Sequence, residues 1–195
     1  MNYLPVFLHL QDRPCLVVGG GAIATRKVEG LVKAGARVTV ISPQIRATLL
    51  EWEKRRRLRY IRRCYQEGDL KGYFLTYAAT GVAEVDRQMA KEARAEGALL
   101  NVVDRPTLCS FISPAIVQRG DLLIAISTGG KSPGFAKLVR KQLEDFLGPE
   151  YGEALKVVAA KREELKQSCR EPEERQIRLI ALAQSAMLGQ SRQVR

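Results

Sequence analysis

A glycine-rich segment near the start of the chain has the composition of a phosphate-binding turn. The run Gly19-Gly20-Gly21-Ala22-Ile23-Ala24 fits the pattern G-x-G-x-x-A and follows the apolar stretch Cys15–Val18. In such a turn the first glycine permits a tight bend, the second lets backbone N–H groups approach a pyrophosphate, and the alanine lets helix and strand pack closely. The pattern predicts dinucleotide binding by Gly19, Gly20, Gly21, Ala22, Ile23 and Ala24. A glycine turn of purely conformational origin is the alternative.

The residues after the second apolar stretch, Arg37–Ile41, bear on which dinucleotide binds. An NAD site usually carries Asp or Glu at this point, where it accepts hydrogen bonds from the adenosine ribose. Here the chain has Ser42 and Pro43, which we predict to contact the cofactor. Ser42 can bind a ribose hydroxyl without repelling a 2′-phosphate, and Arg46 is close enough in sequence to contact one. NAD is the predicted cofactor, and the sequence leaves NADP open.

Two polar residues follow further strand-like stretches. Asp104 comes directly after Leu99–Val103, and Thr80 after Tyr73–Ala79. Parallel sheets place their ligand crevice at the carboxyl ends of the strands. We therefore expect the Asp104 carboxylate at a cleft rim, with a turn or helix-cap aspartate as the alternative. Thr80 and Val102 are predicted cofactor contacts, and Thr80 has a second reading as the N-cap of a following helix.

A second glycine-rich loop lies later in the chain, ahead of a helix. We predict that it binds an anion through Thr128, Gly129, Gly130, Lys131 and Ser132. Lys137, Arg140 and Lys141 follow at i, i+3 and i+4, so they share one helix face. A solvated basic face is the alternative for these three.

Several kinds of site are excluded by residue type. His9 is the single histidine and lies in the alternating stretch Val6–Leu10, which is typical of a strand. The four cysteines have no C-x-x-C spacing, and Cys15 reads as a small buried hydrophobe. We therefore predict no resident metal and no catalytic triad that lacks His9.

The net charge of +11 points to nucleic acid, a membrane surface or an acidic small molecule as partner. Six arginines lie between Arg55 and Arg63 and alternate with Leu58 and Ile61, as in a strand with a solvated face. No nucleic-acid-binding module accompanies them. The first thirteen residues lack the basic region and the small-residue cleavage site typical of a signal peptide, and no apolar run approaches membrane-spanning length. We expect a cytoplasmic protein that binds neither nucleic acid nor membrane.

Elements that alternate between strand and helix must position these residues. After the first strand, helix and second strand, Gln44–Lys54 and Val82–Glu96 read as helices and Leu58–Arg62 as a strand. This alternation predicts an α/β fold with a mainly parallel, Rossmann-type sheet. Phe111–Val117 and Leu122–Ser127 then suggest a hairpin, and a helix follows from about Gly134 to Phe146. Residues 150–189 read as helical with a break near Glu171-Pro172, and 190–195 as a frayed end.

The chain resembles the precorrin-2 dehydrogenase/sirohydrochlorin ferrochelatase family, the N-terminal module of siroheme synthase. The resemblance runs from about Tyr3 to Leu147. Its motifs are LPVFLHLQDRPCLVVGGGAIATRKVEGLVKAGARVTVISP, YAAT at 77–80, NVVDRP at 101–106 and FISPAIVQRGDLLIAISTGGKSP at 111–133. It implies a Rossmann domain at 1–112, a dimerisation and substrate region at 113–147, a helical region at 148–195, and a homodimer. The methyltransferase domain of the longer siroheme synthases is absent from these 195 residues.

The resemblance also implies a reaction. Precorrin-2 loses hydride to NAD and protons to base or solvent, giving sirohydrochlorin, and some members then insert ferrous iron. Asp104 matches the aspartate proposed to act in dehydrogenation, where it would accept a proton as general base. Precorrin-2 carries eight carboxylates, so the loop 128–132 and the basic helix face would contact this tetrapyrrole. Two rival functions are a non-enzymatic NAD-sensing domain and a nucleic-acid-binding protein that uses the arginine cluster at 55–63.

Overall fold

The computed structural model describes residues 3–191, and the side chains of residues 3–187. The chain divides into two compact units, one ending at Ser113 and the other starting at Pro114. The further division predicted at residue 147 stays a prediction.

The first unit is built on a five-stranded parallel sheet in the order β3-β2-β1-β4-β5. Its elements are β1 (Pro14–Val18), α1 (Ala22–Lys33), β2 (Arg37–Ile41), α2 (Ala47–Lys54), β3 (Arg59–Ile61), β4 (Leu75–Ala78), α3 (Ala83–Glu96), β5 (Leu99–Val102) and a 3-10 turn at Pro106–Leu108. From β1 the chain first adds β2 and β3 on one side of that strand. It then crosses back and adds β4 and β5 on the other side. This reversal between β1 and β4 is the switch point at which doubly wound sheets bind ligands. The predicted Rossmann-type α/β fold is confirmed.

The alternation of side chains along β1 builds a core on each face of the sheet. Cys15 and Val17 pack with α1 and α2, whereas Leu16 and Val18 pack with α3. Ala24 is fully buried, which confirms that the last position of the glycine pattern lets α1 lie close to the strands. Because both faces of the sheet are covered, the central strand β1 is apolar throughout and buried from Cys15 to Val18.

The second unit joins a β-hairpin to three helices. Its elements are β6 (Ala115–Arg119), β7 (Leu122–Ile126), α4 (Pro133–Phe146), α5 (Glu150–Ser168) and α6 (Pro172–Ser191). The Arg119 guanidinium donates to the carbonyl oxygens of Leu147 at 2.6 Å and Glu144 at 2.8 Å. Arg119 thus ties the hairpin to the C-terminal end of α4, where carbonyl groups lack helical partners. The predicted break between the last two helices is confirmed.

Several predicted boundaries differ from the structure. Residues 6–10 form no strand, because the five-stranded sheet of the described chain leaves this segment unpaired. Helix α2 begins three residues later than expected, since residues 44–46 form a loop against the glycine turn. The first hairpin strand starts at Ala115, not Phe111, because Phe111 instead packs on the core of the first unit. Gln190 and Ser191 continue α6 rather than fraying, and residues 192–195 lie outside the described residues.

Candidate functional site

The first glycine of the turn is required by close approach of two backbone segments. Gly19 has φ +122°, a conformation that L side chains rarely adopt. A Cβ at this position would lie 2.3 Å from the carbonyl oxygen of Ala79, just beyond β4. Gly19 therefore brings the ends of β1 and β4 together at the switch point. Thr80 directly follows Ala79 in the chain, and its contact with the cofactor stays a prediction.

The second glycine accommodates the loop that follows β2. A Cβ on Gly20 would lie 1.9 Å from the carbonyl oxygen of Gln44. The Arg46 N–H donates to the Gly20 carbonyl at 3.1 Å. The segment after β2 is thus hydrogen-bonded to the glycine turn, and Arg46 is an exposed cation next to it.

The third glycine differs from the other two in facing open space. A Cβ on Gly21 would meet no atom within 4 Å, and the φ of −81° is accessible to any residue. Neither the fold nor the local backbone therefore requires glycine here. A requirement for glycine would come from a ligand that approaches this side of the backbone.

The start of α1 presents a group of free amides. Within residues 3–191, no protein acceptor pairs with the backbone N–H groups of Gly20, Gly21, Ala22, Ile23 and Ala24. The first turn of α1 contains no acidic side chain, and its cap makes no side-chain hydrogen bond. Unpaired N–H groups and the positive end of the helix dipole together fit a dinucleotide pyrophosphate.

Ser42 orders the adjacent loop. Its side chain is buried, and its hydroxyl donates to the Gln44 carbonyl at 2.7 Å. The Tyr60 hydroxyl donates to the carbonyl oxygens of Ser42 at 3.0 Å and Pro43 at 3.3 Å. Because the hydroxyl proton is already used, a ribose contact by Ser42 would have to be one in which the serine oxygen accepts a hydrogen bond. This contact stays a prediction, as does contact by Pro43.

A buried carboxylate that the sequence did not single out connects the ends of β4 and β5. Asp86 on α3 is 2% exposed. It accepts a hydrogen bond from the Thr80 hydroxyl at 2.7 Å and forms an ion pair with Arg105 Nε at 3.1 Å. The Thr80 hydroxyl also accepts from the Val82 N–H at 3.0 Å, while Val82 itself occupies the N-cap of α3. The alternative reading of Thr80 as that N-cap is therefore wrong.

Asp104 occupies a tight turn directly after β5. It is exposed and has φ +59°, in the left-handed region that aspartate tolerates better than most residues. The next residue, Arg105, is held by Asp86, and its carbonyl accepts from the Cys109 thiol at 3.3 Å. The side chain of Val102 is buried in the core with α3, so a cofactor contact by this residue stays a prediction.

A half-buried lysine lies on the α1 face of the sheet near the end of the first unit. Lys27 Nζ is 3.0 Å from Ser113 Oγ and 4.7 Å from the centre of the Tyr77 ring. Burial lowers the pKa of Lys27 and raises the pKa of Tyr77. No local pattern predicted this cluster, because Ser113 is 86 residues from Lys27 along the chain.

In the second glycine-rich loop, which belongs to the second unit, most polar groups hydrogen-bond with one another. The Thr128 hydroxyl accepts from the Ser132 N–H at 3.0 Å, and the Lys131 N–H donates to the Thr128 carbonyl at 3.2 Å. The Gly129 N–H donates to Ser127 Oγ at 3.0 Å. Ser132 is the N-cap of α4, as predicted, and accepts from the Phe135 N–H at 3.2 Å. Anion binding by this loop would therefore depend on the Gly130 amide and the exposed Lys131 side chain.

The basic face of α4 is only partly free. Lys137 and Lys141 are exposed, but Arg140 forms an ion pair with Glu144 at 2.6 Å. Two of the three predicted cations therefore remain available to an acidic ligand.

Neither a metal cluster nor a membrane-spanning helix occurs in the described part of the chain. Residues 3–191 contain no group of three or more His, Cys, Asp or Glu side chains that could hold a metal ion. None of their helices is both long and apolar enough to cross a bilayer. All four cysteines are free thiols, and Cys15 is fully buried, as predicted.

Comparison with known proteins assigns the glycine turn and its sheet to one family. A family model described as putative NAD(P)-binding matches residues 6–115, which contain every element of the first unit. The chain belongs to this putative NAD(P)-binding family. A second model, described as sirohaem biosynthesis protein central, matches residues 119–145, in the hairpin and α4.

Two curated relatives and one solved structure resemble the chain over most of its length. It is 45% identical over 177 residues to the siroheme synthase of Methylobacillus flagellatus, covering 91% of this chain and 38% of that protein. It is 42% identical over 175 residues to the siroheme synthase of Methylococcus capsulatus, covering 90% and 37%. The chain thus spans under two fifths of these relatives. The structure titled "SirC, precorrin-2 dehydrogenase" matches with a TM-score of 0.75 and 28% identity, over 95% of this chain and 99% of that one. The resemblance inferred from the sequence motifs is confirmed.

Proposed function

We propose that this protein oxidises precorrin-2 to sirohydrochlorin with NAD as hydride acceptor, in siroheme biosynthesis. The observation that carries the proposal is the match over 95% of the chain to a structure titled precorrin-2 dehydrogenase. Both units take part in that match, so it extends beyond the nucleotide-binding fold. A sensing domain would need the dinucleotide site but not the second unit, and this favours the enzyme over the NAD-sensing alternative.

The glycine turn would hold the dinucleotide. The free amides from Gly20 to Ala24 would bind its pyrophosphate, and the open side of Gly21 would let it approach. Bound NAD supplies the hydride acceptor. Arg46, beside the turn and exposed, is placed to favour a 2′-phosphate. We therefore expect Arg46→Gln to weaken NADP binding more than NAD binding.

Asp104 would act as the general base. Its carboxylate is exposed at the carboxyl end of β5, and among the described side chains, those of residues 3–187, none forms an ion pair with it. It can therefore accept the proton that leaves the macrocycle as hydride departs. Arg105 and Asp86 would fix the turn that carries it, so that the carboxylate keeps one position.

The second unit would contact the acidic substrate. Lys131, Lys137 and Lys141 are exposed cations, and the eight carboxylates of precorrin-2 complement them. Ferrous iron would be a second substrate if sirohydrochlorin is also metallated. That step needs a base near the pyrrole nitrogens and no resident metal.

We further propose a cytoplasmic homodimer. Leu4 and Phe7 in the first unit, and Ile116, Phe135 and Phe146 in the second, are each at least half exposed. A partner chain that covered such side chains would remove apolar surface from water. The four free thiols suit a reducing compartment. Sedimentation at equilibrium would detect the dimer.

The test supplies precorrin-2 with NAD to the wild-type chain and to Asp104→Asn. We expect NAD-dependent formation of sirohydrochlorin by wild type and loss of at least about a hundredfold in kcat for the variant, the usual contribution of a general base. A wild-type chain that binds NAD but leaves precorrin-2 unchanged would favour the sensing function. Sirohydrochlorin supplied with ferrous ion then tests chelation against the uncatalysed rate.

A further inference from the structure

A cleft with a volume of about 840 Å³ lies in the first unit, at the amino-terminal edge of the sheet. Pro14 and Arg37, which begin β1 and β2 as register partners, both line it, as does Arg59 at the start of β3. The glycine turn follows the opposite end of β1. A five-residue strand separates the two edges by roughly 16 Å. The cleft is therefore not part of the dinucleotide site.

The cleft is lined by more cations than carboxylates. Its basic side chains are Arg37, Arg56, Arg57, Arg59 and Lys71, and its acidic ones are Asp12 and Glu53. None of the five cations forms an ion pair with any side chain of residues 3–187, the part of the chain whose side chains are described. Arg37 Nε donates to the Asp12 backbone carbonyl at 2.9 Å, which satisfies one donor without neutralising the charge. An excess of three positive charges thus faces one concavity.

Ordered backbone turns bring these cations together from separate parts of the chain. The Arg37 N–H donates to the Arg13 carbonyl at 2.9 Å, and the Arg57 N–H to the Trp52 carbonyl at 2.9 Å. The Lys71 N–H donates to the Gly68 carbonyl at 3.2 Å. Like charges that converge in this way repel one another, and a multiply charged anion between them relieves the repulsion. A merely solvated basic face would not require a concave arrangement.

The chemistry of the lining indicates the class of ligand. Guanidinium groups form paired hydrogen bonds with phosphate and carboxylate oxygens. The volume lies within the range of small-molecule sites, roughly 300 to 1,000 Å³. We propose that this cleft binds a small anion with at least three negative charges on phosphate or carboxylate groups. The proposal does not depend on the dehydrogenase activity.

The experiment titrates tripolyphosphate into the full chain by calorimetry at about 0.15 M salt, where long-range attraction is largely screened. Excess NAD keeps the probe from the glycine turn. A parallel titration with tricarballylate distinguishes a carboxylate ligand from a phosphate ligand. We expect saturable binding of one of the two probes to one site, and at least about a tenfold loss of affinity in the double variant Arg57→Gln/Arg59→Gln.

A matched double variant, Arg55→Gln/Arg62→Gln, removes the same charge from the same arginine-rich segment outside the cleft lining. Arg55 contacts Glu51 at 4.0 Å, and neither residue lines the cleft. This variant should keep its affinity within about twofold of wild type. Hydrogen exchange should show protection of residues 53–59 and 71–73 when the probe is added.

Three results would overturn the proposal. The first is the absence of saturable binding by both probes. The second is an equal loss of affinity in the two double variants, which indicates general electrostatic attraction. The third is retention of duplex DNA through Arg57 and Arg59 without binding of either small probe, which assigns the surface to nucleic acid. Unchanged NAD binding in the Arg57→Gln/Arg59→Gln variant would show that it is folded.

Discussion

Asp86 holds Arg105 in a 3.1 Å ion pair, and so connects helix α3 to the turn that carries Asp104. The carboxylate side chain is 4% exposed and the guanidinium side chain 42% exposed, so one partner is buried while the other reaches solvent. The second carboxylate oxygen of Asp86 accepts from Thr80 at 2.7 Å. One buried acid therefore fixes two strand ends at the carboxyl edge of the sheet.

Replacement of Asp86 by asparagine should impair both the fold and the reaction. The amide keeps the shape but loses the ion pair with Arg105. We expect the free energy of unfolding in urea to fall by about 1 to 3 kcal/mol, the usual cost of leaving a buried polar partner poorly satisfied. The kcat for precorrin-2 oxidation should fall, while the affinity for NAD, most of whose predicted contacts lie in the glycine turn, should change less than kcat.

The exposed pair Glu84–Arg87 on the same helix supplies the control for Asp86. Glu84→Gln should change stability by less than about 0.5 kcal/mol, because exposed pairs contribute little. Equal effects of the two substitutions would contradict a positioning role for Asp86.

The three glycines of the turn should respond differently to alanine. Gly19→Ala and Gly20→Ala place a Cβ 2.3 Å and 1.9 Å from backbone oxygens, so both should destabilise the fold by more than about 2 kcal/mol. Gly21→Ala meets no protein atom within 4 Å. We expect this variant to keep its thermal unfolding midpoint and to lose at least about tenfold in NAD affinity. Fluorescence titration with NADH would measure the dinucleotide affinity of this variant. Full retention of that affinity would refute the pyrophosphate site at Gly21.

The left-handed backbone conformation at Asp104 allows the catalytic role of its carboxylate to be tested apart from its effect on stability. At φ +59° asparagine is tolerated about as well as aspartate, whereas alanine costs about 1 kcal/mol. Asp104→Asn should therefore retain wild-type stability while losing activity, and Asp104→Ala should lose both. Urea unfolding measures the stability of each variant, and the oxidation assay measures its activity. Activity that survives in the asparagine variant would remove Asp104 as the base.

Burial of Cys15 predicts a loss of stability at alkaline pH. Burial raises the pKa of this thiol from 9.0 to about 11. In the unfolded chain the thiol ionises from about pH 9, while in the folded chain it stays neutral until about pH 11. The stabilisation that comes from burying the neutral thiol is therefore fully present below pH 9. It is lost as the pH rises through this window, by up to about 3 kcal/mol. Urea unfolding at about pH 8 and about pH 10.5 would measure the decline.

Cys15→Ala should flatten that pH dependence, although it lowers stability at all pH values by creating a small cavity. The exposed Cys64 provides the comparison, since Cys64→Ala should leave the decline unchanged. An identical alkaline decline in wild type and Cys15→Ala would show that other groups cause it.

The order of the elements and the location of the glycine turn could be predicted from the sequence, because both depend on local patterns. Apolar strands between amphipathic helices indicated the parallel sheet, and G-x-G-x-x-A marked the turn at Gly19. The start of α4 followed from Ser132 and Pro133, whose capping preference is a property of neighbouring residues.

Only the tertiary structure decided which backbone and side-chain groups are open to a ligand and which already contact another part of the protein. Sequence pattern alone did not distinguish Gly20, which accommodates Gln44, from Gly21, which faces open space. The sequence also did not reveal that Asp86 is a buried partner of Arg105. Nothing in the local sequence distinguishes Asp86 from other acidic residues on helices, because its partners reach it only when the chain folds. Local sequence fixes backbone conformation and side-chain type, whereas pairing and exposure depend on segments that are distant along the chain and meet only on folding.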